Sequence, residues 1–289
     1  MTFVPSSPIS AQGNRSNRRR WKAVCAVGLG CLLMAGLPVA VEAQVAPNGK
    51  PATETAVADA TAAPSAPRAT TGPIIDNVGC TANSLARNDD GSSGRVTLPF
   101  VVRLYNRAYT GLYVNNNGNV TFRTPLSAYT PGSINVADRP IIAPFWADVD
   151  TRPASSSVVQ YGTTTFGGRQ AFCVNWNGVG YYYEHTDKTN AFQLVLVKKA
   201  GVGNFDVYFN YGRVQWETGD ASGGSNGFGG SSARAGISNG FGSTYELPGS
   251  AVHGAFLDSN PTGLIHRTLG SSTPGRIKFK VRAGVPQTP

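Results

Sequence analysis

Only three histidines occur in the 289 residues, at 185, 253 and 266, and past residue 74 no stretch sustains a helical hydrophobic period. The first scarcity bears on "TGDASGGSNGFGGSS", residues 218–232, which has the outline of a glycine-flanked nucleophile loop around Ser222. A serine nucleophile needs a histidine base converging on it. Only His185 precedes Ser222, within the polar stretch "YYYEHTDKTN" and too close in sequence for a trypsin-type fold, and Ala221 separates Asp220 from the serine. The loop also lacks the lysine of a phosphate-binding loop. It carries Gly219, Gly223, Gly224, Gly227, Gly229 and Gly230 between the strand-like segments "RVQWE" and "ARAGIS", so it reads as a compact surface excursion that uses positive φ values.

Past residue 43, clustered charge is absent as well. Arg15, Arg18, Arg19, Arg20 and Lys22 form a basic head before the uncharged run 23–41 and the small-residue site "VEA" at 41–43. This is the pattern of a secretion signal over residues 1–43, with an uncleaved membrane anchor as its rival. Beyond it remain 20 basic and 15 acidic residues, a formal +5 scattered singly, which is not a nucleic-acid footprint. The same segment holds only Cys80 and Cys173, an even pair that in an oxidising compartment is expected to form one disulfide; two buried thiols are the alternative.

Residues 44–73 are rich in Ala, Pro and Thr and contain no aromatic residue, so they can bury little and read as a disordered tether. From 74 to 289 the texture changes to about a dozen short β-branched and aromatic segments separated by Gly, Asn, Asp, Ser and Pro. In "GLYVNNNGNVTF" a three-residue loop, Asn116 to Gly118 with the glycine left-handed, sets Val114 against Val120 and Leu112 against Phe122. "AFCVNW" places Phe172, Val174 and Trp176 on one side, and "NFDVYFNY" points Phe205, Val207 and Phe209 inward with Asp206, Tyr208 and Asn210 outward. "RIKFKVR" interleaves Ile277, Phe279 and Val281 with four cations, a device that discourages edge pairing. These alternations predict an all-β, antiparallel two-sheet sandwich with aromatic cores around Trp146, Trp176 and Trp216.

Several residue sets carry candidate chemistry. Asp148 and Asp150 in "PFWADVDTR" lie on one face of an extended segment, as a calcium ligand pair would, or as a strand end ion-paired to Arg152. "RNDDGSSG" at 87–94 has calcium-like composition without the later glutamate and reads as a turn. Tyr181 and Tyr183 are ligand-contact candidates, able to stack on sugars or a protein partner if exposed. Glu184 and Glu217 would serve a glycosidase only if the fold brought them together. Asn119 to Thr121 forms a glycosylation sequon.

Taken in order, "LYVNNNGNVTF", "RPIIAPFWADVDTR", "FQLVLV", "NFDVYFNYGRVQWETGDASGG" and "SARAGISNG" resemble the nidogen-like domain family from about residue 76 to the C-terminus. The resemblance implies a secreted or cell-surface, non-enzymatic module for cell and matrix adhesion. Its partner would be an extracellular protein or a matrix or cell-surface glycan, without nucleic acid, cofactor or membrane span after signal cleavage. A carbohydrate-binding module, calcium-dependent through Asp148 and Asp150, is the alternative, and a glycoside hydrolase a more distant one.

Overall fold

The computed structural model describes residues 72–75, 77–105, 107–135 and 138–289. The expected signal segment and nearly all of the expected tether lie outside these residues. The chain forms β1 (Asn83–Ser84), β2 (Val96–Leu104), β3 (Arg107–Asn115), β4 (Asn119–Thr121), β5 (Ile141–Trp146), β6 (Val149–Asp150) and β7 (Gln160–Phe166). It continues with β8 (Arg169–Tyr181), β9 (His185–Lys198), β10 (Phe205–Arg213), β11 (Arg234–Ser238), β12 (Thr244–Glu246), β13 (Arg276–Arg282) and β14 (Val285–Gln287). Short 3-10 turns occur at Val78–Thr81, Asp220–Ser222 and Leu264–His266, and no α-helix forms among the described residues.

Two antiparallel sheets face each other. The larger runs β1-β7-β8-β9-β10-β13-β14 with β6 also paired to β8, and the smaller runs β12-β11-β5-β4-β3-β2. The period-two alternation of the sequence becomes the core between them: Phe172, Val174, Trp176, Phe205, Val207, Phe209, Ile277, Phe279 and Val281 meet Val114, Val120, Ile142, Phe145 and Ile237. Burying apolar area of this extent is the main force holding the sheets together. Trp176 stacks on Phe192 at 5.2 Å, and Trp216 meets the edge of Phe145 at 5.7 Å. Of the three tryptophans expected to hold the sheets, Trp146 lies outside the core between them. It faces away from the sheet interface into a small cluster with Leu126, Ile134 and Ile141, and its Nε1 donates to the Ala128 carbonyl at 2.8 Å.

The predicted hairpin register is present. Val114 pairs with Val120, Asn115 with Asn119, and Gly118 has φ +74°. A Cβ at Gly118 would lie 1.7 Å from the Phe145 carbonyl oxygen, so close approach and left-handed φ both demand glycine there.

The outer face of the larger sheet differs from the expected solvated surface. Cys80, Ala171, Cys173, Val195, Val197 and Tyr208 form a second apolar cluster beneath the Val78–Thr81 turn, which the Cys80–Cys173 disulfide fastens to β8. Asp206 and Asn210, on the outward side of β10, are fully buried, and Tyr208 nearly so. The cations of β13 also have another role than edge protection, because β13 pairs with β10 on one side and β14 on the other. Lys278 and Arg282 reach Asp206 instead.

Candidate functional site

The loops at the β8–β9 hairpin end of the larger sheet gather most of the residues that the sequence singles out. β10 runs on through Val214 and Trp216 into the core, and the glycine-rich loop then folds back over Tyr181. Gly227 has φ +87°, and a Cβ there would stand 2.8 Å from Trp216 Cβ. Ser222 ends the short turn Asp220–Ser222, is buried, and its hydroxyl meets Thr130 Oγ1 at 2.9 Å. His185 Nε2 faces Asp220 Oδ2 at 3.3 Å rather than the serine. The loop is therefore held by its own backbone and hydroxyl bonds, in keeping with the geometric reading.

Glu217 anchors this region. It is 2% exposed; its Oε2 accepts from the Gly254 N–H at 2.7 Å and its Oε1 from the Gly229 N–H at 3.4 Å. His253 Nδ1 stands 3.6 Å from Oε1 and 2.8 Å from the Ser232 hydroxyl. A serine relay places serine and acid on opposite ring nitrogens; here both address Nδ1, so the contacts fix the ring and the loop. Glu184 is exposed and lies 4.0 Å from Arg152, whereas Glu217 is buried.

Asp148 and Asp150 are placed with different partners. Asp150 is fully buried and receives Arg152 Nη2 at 2.6 Å and the Glu184 N–H at 3.0 Å. Asp148 lies with Asp89 and Asp90: one carboxylate oxygen from each falls within 4.8 Å of the others. These three are carboxylates that the fold brings together. Arg152 Nη2 is 3.6 Å from Asp89 Oδ2, and Asn117 Nδ2 donates to Asp90 Oδ1 at 2.8 Å. Sequence alone treats "RNDDGSSG" as a separate turn; nothing local announces that the 88–90 loop folds onto residue 148.

The tyrosines also separate. Tyr181 is fully buried, stacks on His185 at 4.8 Å and donates to Asp187 Oδ1 at 2.9 Å, so it is not a surface contact. Burial and that hydrogen bond push its hydroxyl pKa upward. The physical reason is that β8 extends through residue 181 before turning, which places this ring under the glycine-rich loop. Tyr183, at the tip, is 66% exposed. Asn119 is fully buried, with its amide nitrogen bonded to the Asn117 carbonyl at 3.1 Å, so the folded chain presents no glycosylation acceptor there.

A buried charge centre escapes sequence reading. Asp206 Oδ2 meets Lys199 Nζ at 3.1 Å and Lys278 Nζ at 3.2 Å, and Oδ1 meets Arg282 Nη2 at 2.7 Å. Its signal was faint: one acidic residue in an aromatic strand, and a distant strand of alternating cations.

The described residues form a two-sheet antiparallel β module with one disulfide. Residues 110–283 match the nidogen-like domain family, and the chain belongs to that family. It is 36% identical to alpha-tectorin of Mus musculus over 217 residues, covering 67% of this chain and 10% of that protein. It is 28% identical to nidogen of Drosophila melanogaster over 220 residues, covering 63% of this chain and 16% of that protein. The chain thus spans a small part of the relatives it matches. No solved structure matches it.

Proposed function

We propose that this chain acts outside the cytoplasm as a non-catalytic binding module of the matrix-adhesion type, engaging an extracellular protein or a matrix or cell-surface glycan. Membership of the nidogen-like family, shared with tectorin and nidogen, carries the reading. The Cys80–Cys173 disulfide supports it, since such bonds persist in oxidising compartments. The described residues contain no helix long and apolar enough to cross a membrane. The commitment of Glu217, Asp150 and Ser222 to structural hydrogen bonds supports the non-catalytic part. Tyr183 and the glycine-rich loop at the hairpin end supply a contact surface on a rigid scaffold.

The test is binding of the purified full chain to immobilised extracellular-matrix preparations, followed by chemical analysis of the supernatant. Saturable retention with an unchanged supernatant is expected. Absence of retention on every matrix would remove the adhesion reading, and released sugar or peptide fragments would remove the non-catalytic one.

A further inference from the structure

The ends of the larger sheet are oppositely charged. The β8–β9 hairpin end carries Asp148, Asp150, Glu184, Asp187 and Asp220 against Arg152 and Lys188, whereas the far ends of β8, β9 and β13, with the residue after β9, carry Arg169, Lys198, Lys199, Lys278, Lys280 and Arg282. Among the described residues, Asp206, which is 1% exposed, stands against these cations. Its carboxylate takes up Lys199, Lys278 and Arg282 at 2.7 to 3.2 Å, so three cations share one negative charge. Lys280 is the register partner of Asp206 across β10 and β13, and it points its charge to solvent. Arg169 and Lys198, both exposed, line with Lys199 an open depression of about 360 Å³ beside Gly168, Gln170 and Ala200.

We propose that this basic end binds an acidic polysaccharide, a sulfated or uronate-bearing chain. The inference rests on the extracellular reading above and names a ligand class for it. The charge is spread over β8, β9 and β13, three strand steps or roughly 14 Å at the usual interstrand spacing. One small anion does not span that row; a chain with repeated negative groups does. Partial neutralisation by a single buried carboxylate fixes Lys199, Lys278 and Arg282 in place while leaving the surface strongly positive, and such preorganisation favours binding.

Other polyanions fit less well. Single-stranded nucleic acid binding draws on exposed aromatic faces, but Tyr208 is 8% exposed and lies under Lys278, 5.4 Å from its ring. A bilayer requires an inserted apolar face, and the apolar residues of this sheet face, Cys173, Val195 and Val197, are buried. Val202 and Val285 are exposed at neighbouring turns, so vesicles belong in the test.

The experiment measures binding of the full chain to heparin oligosaccharides, to phosphatidylserine vesicles and to duplex DNA at several salt concentrations. A triple variant, Arg169→Gln, Lys198→Gln and Lys280→Gln, removes exposed charges that do not touch Asp206, and circular dichroism checks its fold. The expected result is salt-sensitive heparin binding that the triple variant weakens at least about tenfold, with a shallower salt slope, and that Glu184→Gln at the opposite end leaves unchanged. Heparin binding that is absent at low salt, equal in the triple variant, or weaker than binding to vesicles or DNA would overturn the proposal. Retention on matrix by a chain that ignores heparin would sink this inference while leaving the adhesion reading intact.

Discussion

Arg152 holds Asp150 at two points, with Nε 3.0 Å from Oδ1 and Nη2 2.6 Å from Oδ2. The backbone N–H groups of Arg152 and Glu184 donate to the same carboxylate at 3.0 Å each. Asp150 is fully buried, whereas the Arg152 side chain is 31% exposed. Removing the guanidinium strands a buried charge, which costs more than the pair itself contributes. Arg152→Ala is expected to destabilise the fold by about 2–4 kcal/mol, a figure reduced from the fully buried case for the partial exposure of the arginine. Urea denaturation without metal, then with added calcium, measures it. Full recovery of stability in calcium would show that the carboxylate is a metal ligand rather than half of an ion pair.

Cys80 and Cys173 lie 93 positions apart in sequence, with Cα atoms separated by 5.4 Å. A crosslink that closes so long a loop restricts the unfolded chain strongly, by about 3–5 kcal/mol on the chain-entropy account. The double substitution Cys80→Ser and Cys173→Ser should lower stability by that amount and loosen the Val78–Thr81 turn first. Hydrogen exchange would show early loss of protection around residues 78–82. A uniform loss across both sheets would argue that the bond supports the whole fold rather than its outer layer.

Acid should weaken the basic end. Burial raises the Asp206 carboxyl pKa, but hydrogen bonds from Arg282, Lys199 and Lys278 outweigh it, and the net shift is downward. A carboxyl with a depressed folded pKa contributes stability above its unfolded value of about 3.9 and loses it as pH falls through the lower folded value. Asp258 works in the opposite sense: burial raises its pKa, so its ionisation costs stability as pH rises. The stability gap between wild type and Asp206→Asn should thus be constant at neutral pH and close only below about pH 4. A gap that closes above pH 5 would contradict this assignment.

Tyr181 and Tyr183 should answer mutation differently although only one residue separates them. Tyr181→Ala opens a hole beside Trp216 and His185 and should cost about 3–5 kcal/mol. Tyr183→Ala, at a tip that is 66% exposed, should change stability by less than about 0.5 kcal/mol. Thermal denaturation separates the two, and any loss of matrix retention in Tyr183→Ala then reports on contact alone.

The sequence by itself determined the two-sheet architecture, the 116–118 hairpin loop and the inward faces of β8, β10 and β13. Those features depend on period-two burial and on glycine's access to positive φ, which neighbouring residues specify. The disulfide was legible as well, because only two cysteines follow the N-terminal apolar run. Tertiary structure alone decided that Asp148 joins Asp89 and Asp90, that Asp150 is the one to take the Arg152 pairing the sequence offered, that Tyr181 is covered, and that the outer side of β10 is buried. It also gathered Lys199, from just past β9, and Lys278 and Arg282 of β13 around Asp206 of β10. Alternation states which residues share a face, but it carries no information about what a distant loop or strand will lay against that face. In an antiparallel sandwich the charges that meet are fixed by strand order, and strand order is a property of the assembled chain.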